Sequence, residues 1–172
     1  MADQTTISGG TRTVLVRVSG RDQPGVTAGL MGILDEAGAE VRDVEQVVIW
    51  GRLNLGMVVS VPGGRDLLRD LLLFGWERDV EVDFEVVEDV PDGPRIGGHA
   101  VTVLGERLGP EDLRVVTEAI AGADGNIERI VRLSRYPVWS YELLVRCAEG
   151  GRLREALLSA CTRHPTFEVA VA

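Results

Sequence analysis

The chain writes one pattern twice. An alternating, Val-rich run, "TVLVRVSG" (Thr13–Gly20), leads to Pro24, and Val26, Leu30, Ile33, Leu34 and Ala37 then follow at helical spacing up to Gly38. Period-two alternation marks a half-buried strand. A proline suits the first turn of a helix, where its missing N–H would have no partner anyway. Two Val-rich runs, "VRDVEQVVIW" and "LNLGMVVSVP", flank a tight turn at Gly51–Arg52, "GRDLLRDLLLFGW" reads as a second helix, and "DVEVDFEVVE" as a closing strand. The second half repeats the order. "HAVTVLGE" is a strand, Pro110 opens a helix carrying Leu113, Val116, Ile120 and Ala123, and "NIERIVRLS" and "VWSYELLVRC" are strands joined at Tyr136–Pro137. "GRLREALLSACTR" is a helix and "TFEVAVA" the last strand. Pro24 aligns with Pro110, Leu30 with Val116, Leu34 with Ile120 and Val41 with Ile127. A repeat of this length means two copies of one βαββαβ unit.

The fold class that follows is α+β, each copy an antiparallel four-stranded sheet with two helices on one face. A copy of roughly 70–80 residues is small for a self-sufficient core. The copies are therefore expected to pack on each other, on a second chain, or both. The Pro- and Gly-rich stretch 89–98, "DVPDGPRIGG", reads as a linker between domains at 13–88 and 99–172, and residues 1–12 as a flexible lead-in.

Charge and composition narrow the function. A formal net charge of -9 repels phosphate backbones, which argues against nucleic-acid partners. No apolar run approaches the ~20 residues a membrane helix needs, so no membrane partner is expected. The start, "MADQTTISGG", lacks the basic and apolar regions of a secretory signal. Cys147 and Cys161 show no metal or redox spacing and read as reduced thiols of a cytoplasmic protein.

Most candidate chemistry has a plain explanation. Asp79, Glu81, Asp83 and Glu85 alternate with Val80, Val82, Phe84 and Val86, so the acids read as a solvated strand face rather than a metal or acid–base pair. His99 and His164 have no ligand at metal-binding spacing. Arg129, Arg132 and Arg135 read as a solvent face of one strand, paired with nearby acids. No phosphate-binding loop, dinucleotide fingerprint or nucleophile–base pattern is present.

One stretch is different. In "VSGRDQPGVT" (Val18–Thr27) a strand runs into a helix start. A helix N-terminus offers unpaired N–H groups and partial positive charge to a carboxylate. Gly25 lets a ligand approach the backbone, and Asp22 is placed to hold an ammonium group. Together these form a minimal receiver for a free amino acid. The competing reading is an N-cap in which Asp22 or Gln23 satisfies the helix end and Pro24–Gly25 only turns the chain.

This loop and the strand entry "ADGNIERI" (Ala123–Ile130) resemble the ACT domain, a ferredoxin-like βαββαβ module that binds amino acids. The stretches "VEQVVIWGRLNLGMVV", "VTVLGERLGPEDL" and "GNIERIVRLSRYPVWSYEL" are similar to the tandem N-terminal ACT domains of the long bacterial phosphoserine phosphatases, over about residues 13–172. That resemblance implies two ACT domains in tandem and an allosteric, dimerising role in serine biosynthesis. Its ligand would be a small amino acid, L-serine, held at an ACT–ACT interface. Carried over by position, it assigns Asp22, Gln23, Pro24, Gly25, Val26 and Thr27 in the first copy, with Asn126 and Ile127 in the second. The first copy has Glu40 where the second has Asn126, and the second has Glu106–Pro110 where the first has its loop, so a composite site between unlike copies is expected. In the family a haloacid-dehalogenase-type domain with an Asp-x-Asp-x-Thr strand carries the catalysis and the magnesium. This chain stops at "FEVAVA", so no cofactor and no catalysis of its own are expected. A stand-alone two-ACT regulator and a purely structural oligomerisation module are the alternatives.

Overall fold

The computed structural model describes residues 11–62, 67–88 and 98–172. The chain divides into two compact units, Met1–Pro91 and Asp92–Ala172. The first runs β1 (Arg12–Arg21), α1 (Val26–Glu36), β2 (Glu40–Ile49), β3 (Arg52–Val61), α2 (Leu67–Arg78) and β4 (Val80–Val86). The second runs β5 (Gly98–Gly105), α3 (Pro110–Gly122), β6 (Asn126–Ser134), β7 (Trp139–Arg146), α4 (Gly150–Arg163) and β8 (Glu168–Val171). The sheets have the orders β2-β3-β1-β4 and β6-β7-β5-β8, antiparallel throughout, which is the ferredoxin-like arrangement.

Alternation decides which face of each sheet is closed. Val14, Val16 and Val18 of β1 and Leu53, Leu55, Met57 and Val59 of β3 are buried, and they share one core with Leu30 and Leu34 of α1 and Leu67 and Leu71 of α2. The second core repeats this with Val101 and Val103, Leu143 and Val145, Val116 and Ile120, and Leu153 and Leu157. Each of these side chains contributes about 1.5–3 kcal/mol by leaving water.

From the first helix to the second helix of each unit, the two copies match in local detail at a shift of 86 positions. α1 ends with Gly38 at φ 64°, where the Gly38 N–H donates to Asp35 O and the Ala39 N–H to Leu34 O. At the matching place α3 ends with Asp124 at φ 57°, and the Gly125 N–H donates to Ile120 O. Glycine and, among side-chain residues, aspartate are the ones that tolerate this left-handed cap. The ladder slips after Val41 in β2 and after Ile127 in β6, so even the bulge is kept.

Several boundaries differ from the sequence reading. The first hairpin turns at Trp50–Gly51, not Gly51–Arg52: Ile49 pairs with Arg52, and both turn residues have positive φ (51° and 74°). That geometry matches the twist of two-residue hairpins. Pro24 stands before α1 rather than in its first turn, whereas Pro110 is the first residue of α3 as expected. Arg12, assigned to the lead-in, pairs with Val61, and Gly98, assigned to the linker, pairs with Arg146. Residues 1–10, the expected helix start at 64–66 and linker positions 89–97 lie outside the described residues.

α1 crosses α2 at a glycine. A Cβ on Gly29 would run into Cε2 of Phe74, while a Cβ on Gly32, one turn away, meets nothing within 4 Å. Overpacking of this kind costs ~1–3 kcal/mol, more than the ~1 kcal/mol that alanine gains over glycine in a helix. Gly29→Ala should therefore lower the urea midpoint of the full chain and Gly32→Ala should raise it. Equal shifts of the same sign would contradict this packing.

Candidate ligand site

The expected loop lies between β1 and α1. Gly25 is the N-cap of α1 at φ 88°, a left-handed conformation that favours glycine. Its carbonyl accepts the first helical bond, from the Gly29 N–H at 2.9 Å. No side chain caps this helix and its first turn carries no acid. The reading of Asp22 or Gln23 as a cap is thereby corrected. The Gln23 amide reaches away to donate to Arg78 O at the end of α2 (3.1 Å), and Asp22 is exposed and tied down through its backbone N–H, which donates to Gly51 O (2.9 Å). The N-terminal N–H groups of α1 therefore keep their partial positive charge, with an exposed carboxylate one short loop away. Val26 is buried and anchors the helix start; Pro24 is exposed. The Thr27 hydroxyl donates to Gln46 Oε1 of β2 at 2.7 Å. Gln46 and the hairpin turn at Trp50–Gly51 thus belong to the loop's surroundings, and no local sequence signal pointed to either.

The matching loop of the second unit is closed. Leu108 is buried, and the carboxylate of Asp112, in the first turn of α3, accepts from the Gly109 N–H (2.8 Å) and from the Thr166 hydroxyl (2.6 Å). Burial pushes the Asp112 carboxyl up, but the Thr166 hydroxyl, the N–H groups of Gly109 and Asp112, and the charge of His164 together bring it below its ordinary 3.8. This helix end supplies its own anion.

Asn126 opens β6 opposite Arg146, at the sheet edge, with its side chain exposed. Ile127 is half-buried against the second core. Glu40 is the matching residue of the first unit and is also exposed. The loop residues Asp22–Thr27 are thus assembled in one unit and Asn126–Ile127 in the other.

Other clusters carry less. Asp79, Glu81, Asp83 and Glu85 are exposed, and the Arg17 guanidinium bridges Asp83 and Glu85. Arg129, Arg132 and Arg135 do not form one face. Arg129 lies opposite Leu144 and Arg132 opposite Tyr141, on different sides of the sheet, and Arg135 lies beyond the strand with its guanidinium 5.3 Å from the Trp139 ring centre. Three residues apart in an unbroken stretch of β6, Arg129 and Arg132 fall on opposite sides by alternation alone. His99 packs against Gly150 and His164 lies near Asp112. Both cysteines are free thiols; Cys147 is buried, and burial raises the Cys161 thiol. Among the described residues no group of three or more His, Cys, Asp or Glu is placed to hold a metal ion, and no helix is long and apolar enough to cross a membrane.

Residues 12–85 match the ACT domain, and residues 97–172 match an ACT domain again. A phosphoserine phosphatase of Streptomyces coelicolor is 38% identical over 149 residues, 84% of this chain and 36% of that protein. A phosphoserine phosphatase of Mycobacterium tuberculosis is 37% identical over 151 residues, 84% of this chain and 37% of that protein. The chain thus spans little more than a third of the length of these relatives. A crystal structure of a protein from Galdieria sulphuraria shares the fold with TM-score 0.75 and 15% identity, over 94% of this chain and 98% of that one.

The contrast between the two helix ends gives a pH test. Asp112→Ala should cost about 1–2 kcal/mol near neutral pH, the usual worth of a helix cap. A carboxyl held below its ordinary value stabilises the fold above that value, and this stability is lost as pH falls through the folded pKa. Urea titrations of wild type and variant should therefore converge well below pH 3.8. A difference that persists unchanged well below pH 3.8 would contradict the cap.

Proposed function

This chain belongs to the ACT domain family, with two copies in tandem, and on that premise we propose that it is a regulatory module that binds a free amino acid, L-serine. One observation carries the reading: the N-terminus of α1 has neither an acid in its first turn nor a side-chain cap, while the matching end of α3 is filled by Asp112. The ligand carboxylate sits at the start of α1 and accepts from the open N–H groups of Gly25, Val26 and Thr27. Asp22 pairs with the ligand ammonium, a charge-assisted contact. Asn126 and Ile127 of a partner chain in a homodimer complete the site.

The similarity to phosphoserine phosphatases supports a role in regulating that activity, in serine biosynthesis and in the cytoplasm, with the chemistry residing in the relatives' catalytic domain. Regulation then means that serine binds one packing of the ACT domains better than another and shifts their balance. Exposed apolar side chains at matching places on the two edge strands, Val44 and Val47 on β2 and Ile130 and Leu133 on β6, support assembly through these edges.

Titration calorimetry of the full chain with L-serine, against glycine and L-alanine, tests the site. Saturable binding at one serine per chain is expected, because only one of the two helix ends is open. Asp22→Ala should weaken it at least ~30-fold, the scale for losing one partner of a charge pair. Unchanged affinity in that variant would overturn the assignment. No heat with any of the three would leave the module a structural one.

A further inference from the structure

The second helix of the first unit is apolar on both sides. Leu67, Leu71 and Phe74 of α2 are buried in the core, yet Leu68, Leu72, Leu73 and Trp76 face water, with Leu72 51% and Trp76 84% exposed. At 3.6 residues per turn, Arg69, Leu72, Leu73 and Trp76 share the side opposite Leu67, Leu71 and Phe74, and Leu68 borders it. The repeat supplies its own control. α4 keeps the inner residues, with Leu153, Leu157 and Ala160 buried at the places of Leu67, Leu71 and Phe74. On its outer side it has Arg154, Glu155, Ser159 and Thr162 at the places of Leu68, Arg69, Leu73 and Trp76, and keeps only Leu158, at the place of Leu72. The fold is therefore satisfied without an outer apolar stripe. The one on α2 is an addition, on the order of 400 Å², the size of the largest apolar patch on a typical monomer, which is often functional.

We propose that a second copy of this chain docks on that stripe, α2 against α2 in antiparallel register about a two-fold axis between Leu72 and Leu73. The sequence of the helix is self-complementary in this direction. Leu72 meets the partner's Leu73, and Arg69 meets the partner's Trp76, with each contact made twice by symmetry. Arginine over an indole face is a favourable cation–π pair. A parallel arrangement would instead stack Arg69 on the partner's Arg69 and align the helix dipoles. The antiparallel register opposes the dipoles and leaves no like charges face to face along the stripe. A contact of this size falls below the ~1,200 Å² of stable complexes, so the pairing is concentration-dependent rather than permanent. It uses neither the amino-acid loop nor the β2 and β6 edges.

Sedimentation velocity of the full chain, from micromolar to submillimolar concentration, reads the pairing. The largest wild-type species should have twice the mass of the largest species of Leu72→Glu. Trp76→Ala should need at least ~10-fold higher concentration to reach it, and Leu158→Glu, at the matching place on α4, should behave as wild type. Leu73→Cys should form a disulfide-linked dimer under mild oxidation, while Leu158→Cys should not; this arm holds even if Leu72→Glu folds poorly. If Leu72→Glu sediments as a dimer, the edge strands join the remaining pair; if as a monomer, α2 is the chain's own dimer contact. Wild type and α2 variants of equal mass at every concentration would overturn the proposal. So would a Leu73→Cys chain that does not cross-link, which is the result expected if the same chain's other unit or a different protein covers the stripe.

Discussion

The packing of α1 on β1 fixes everything that matters for recognition in the first unit. Val16 and Val18 of β1 and Leu30 and Leu34 of α1 are fully buried in one core, so the strand and the helix cannot slide relative to each other. Only a short loop is left to join them, and Gly25 adopts a left-handed conformation to make the turn. The helix end that results is held open by geometry. Gln23 is drawn to α2, Asp22 is tied to the hairpin turn through its backbone, and Thr27 is tied to Gln46 on β2. The loop's neighbours are thus the ends of two other elements, and any rearrangement of β2 or α2 is felt there.

The second unit shows what the same packing becomes when the loop changes. With Leu108 in the core and Asp112 at the first turn, α3 satisfies its own N-terminus and gains a link to Thr166. The fold is conserved between the copies down to the bulge and the left-handed helix cap, while the two helix starts have opposite electrostatics. One copy has an uncapped helix start, and the other has Asp112 at its helix start and the exposed Asn126.

Most of the architecture was legible because it rests on local chemistry. Alternating valines gave β1, glycine ended α1, proline opened α3, and the repeat gave the second unit from the first. What the sequence did not reveal depends on partners far along the chain or on single-residue shifts of register. Nothing local marks Trp50 as a positive-φ turn residue, since the turn position is set by how β2 and β3 pair. Asp22 reads as a cap until the loop's own geometry turns it outward. Arg129 and Arg132, three residues apart, fall on opposite sides by alternation alone, so reading them as one stripe missed a signal that the spacing carried. "RDLLRDLLLFGW" reads as one helix, but only the packing shows which leucines the core takes and which it leaves in water. The loop residues were legible as a candidate site through the chemistry of a helix start; the role of Gln46 was not.

The central claim is that an amino-acid carboxylate sits on the open N-terminus of α1. Amide-resolved NMR of the full chain during titration with L-serine tests it most directly. The account predicts saturable shifts at the amides of Gly25, Val26 and Thr27, with those of Glu111, Asp112 and Leu113 at the start of α3 unmoved. Silence at α1, or equal movement at both helix starts, would contradict it.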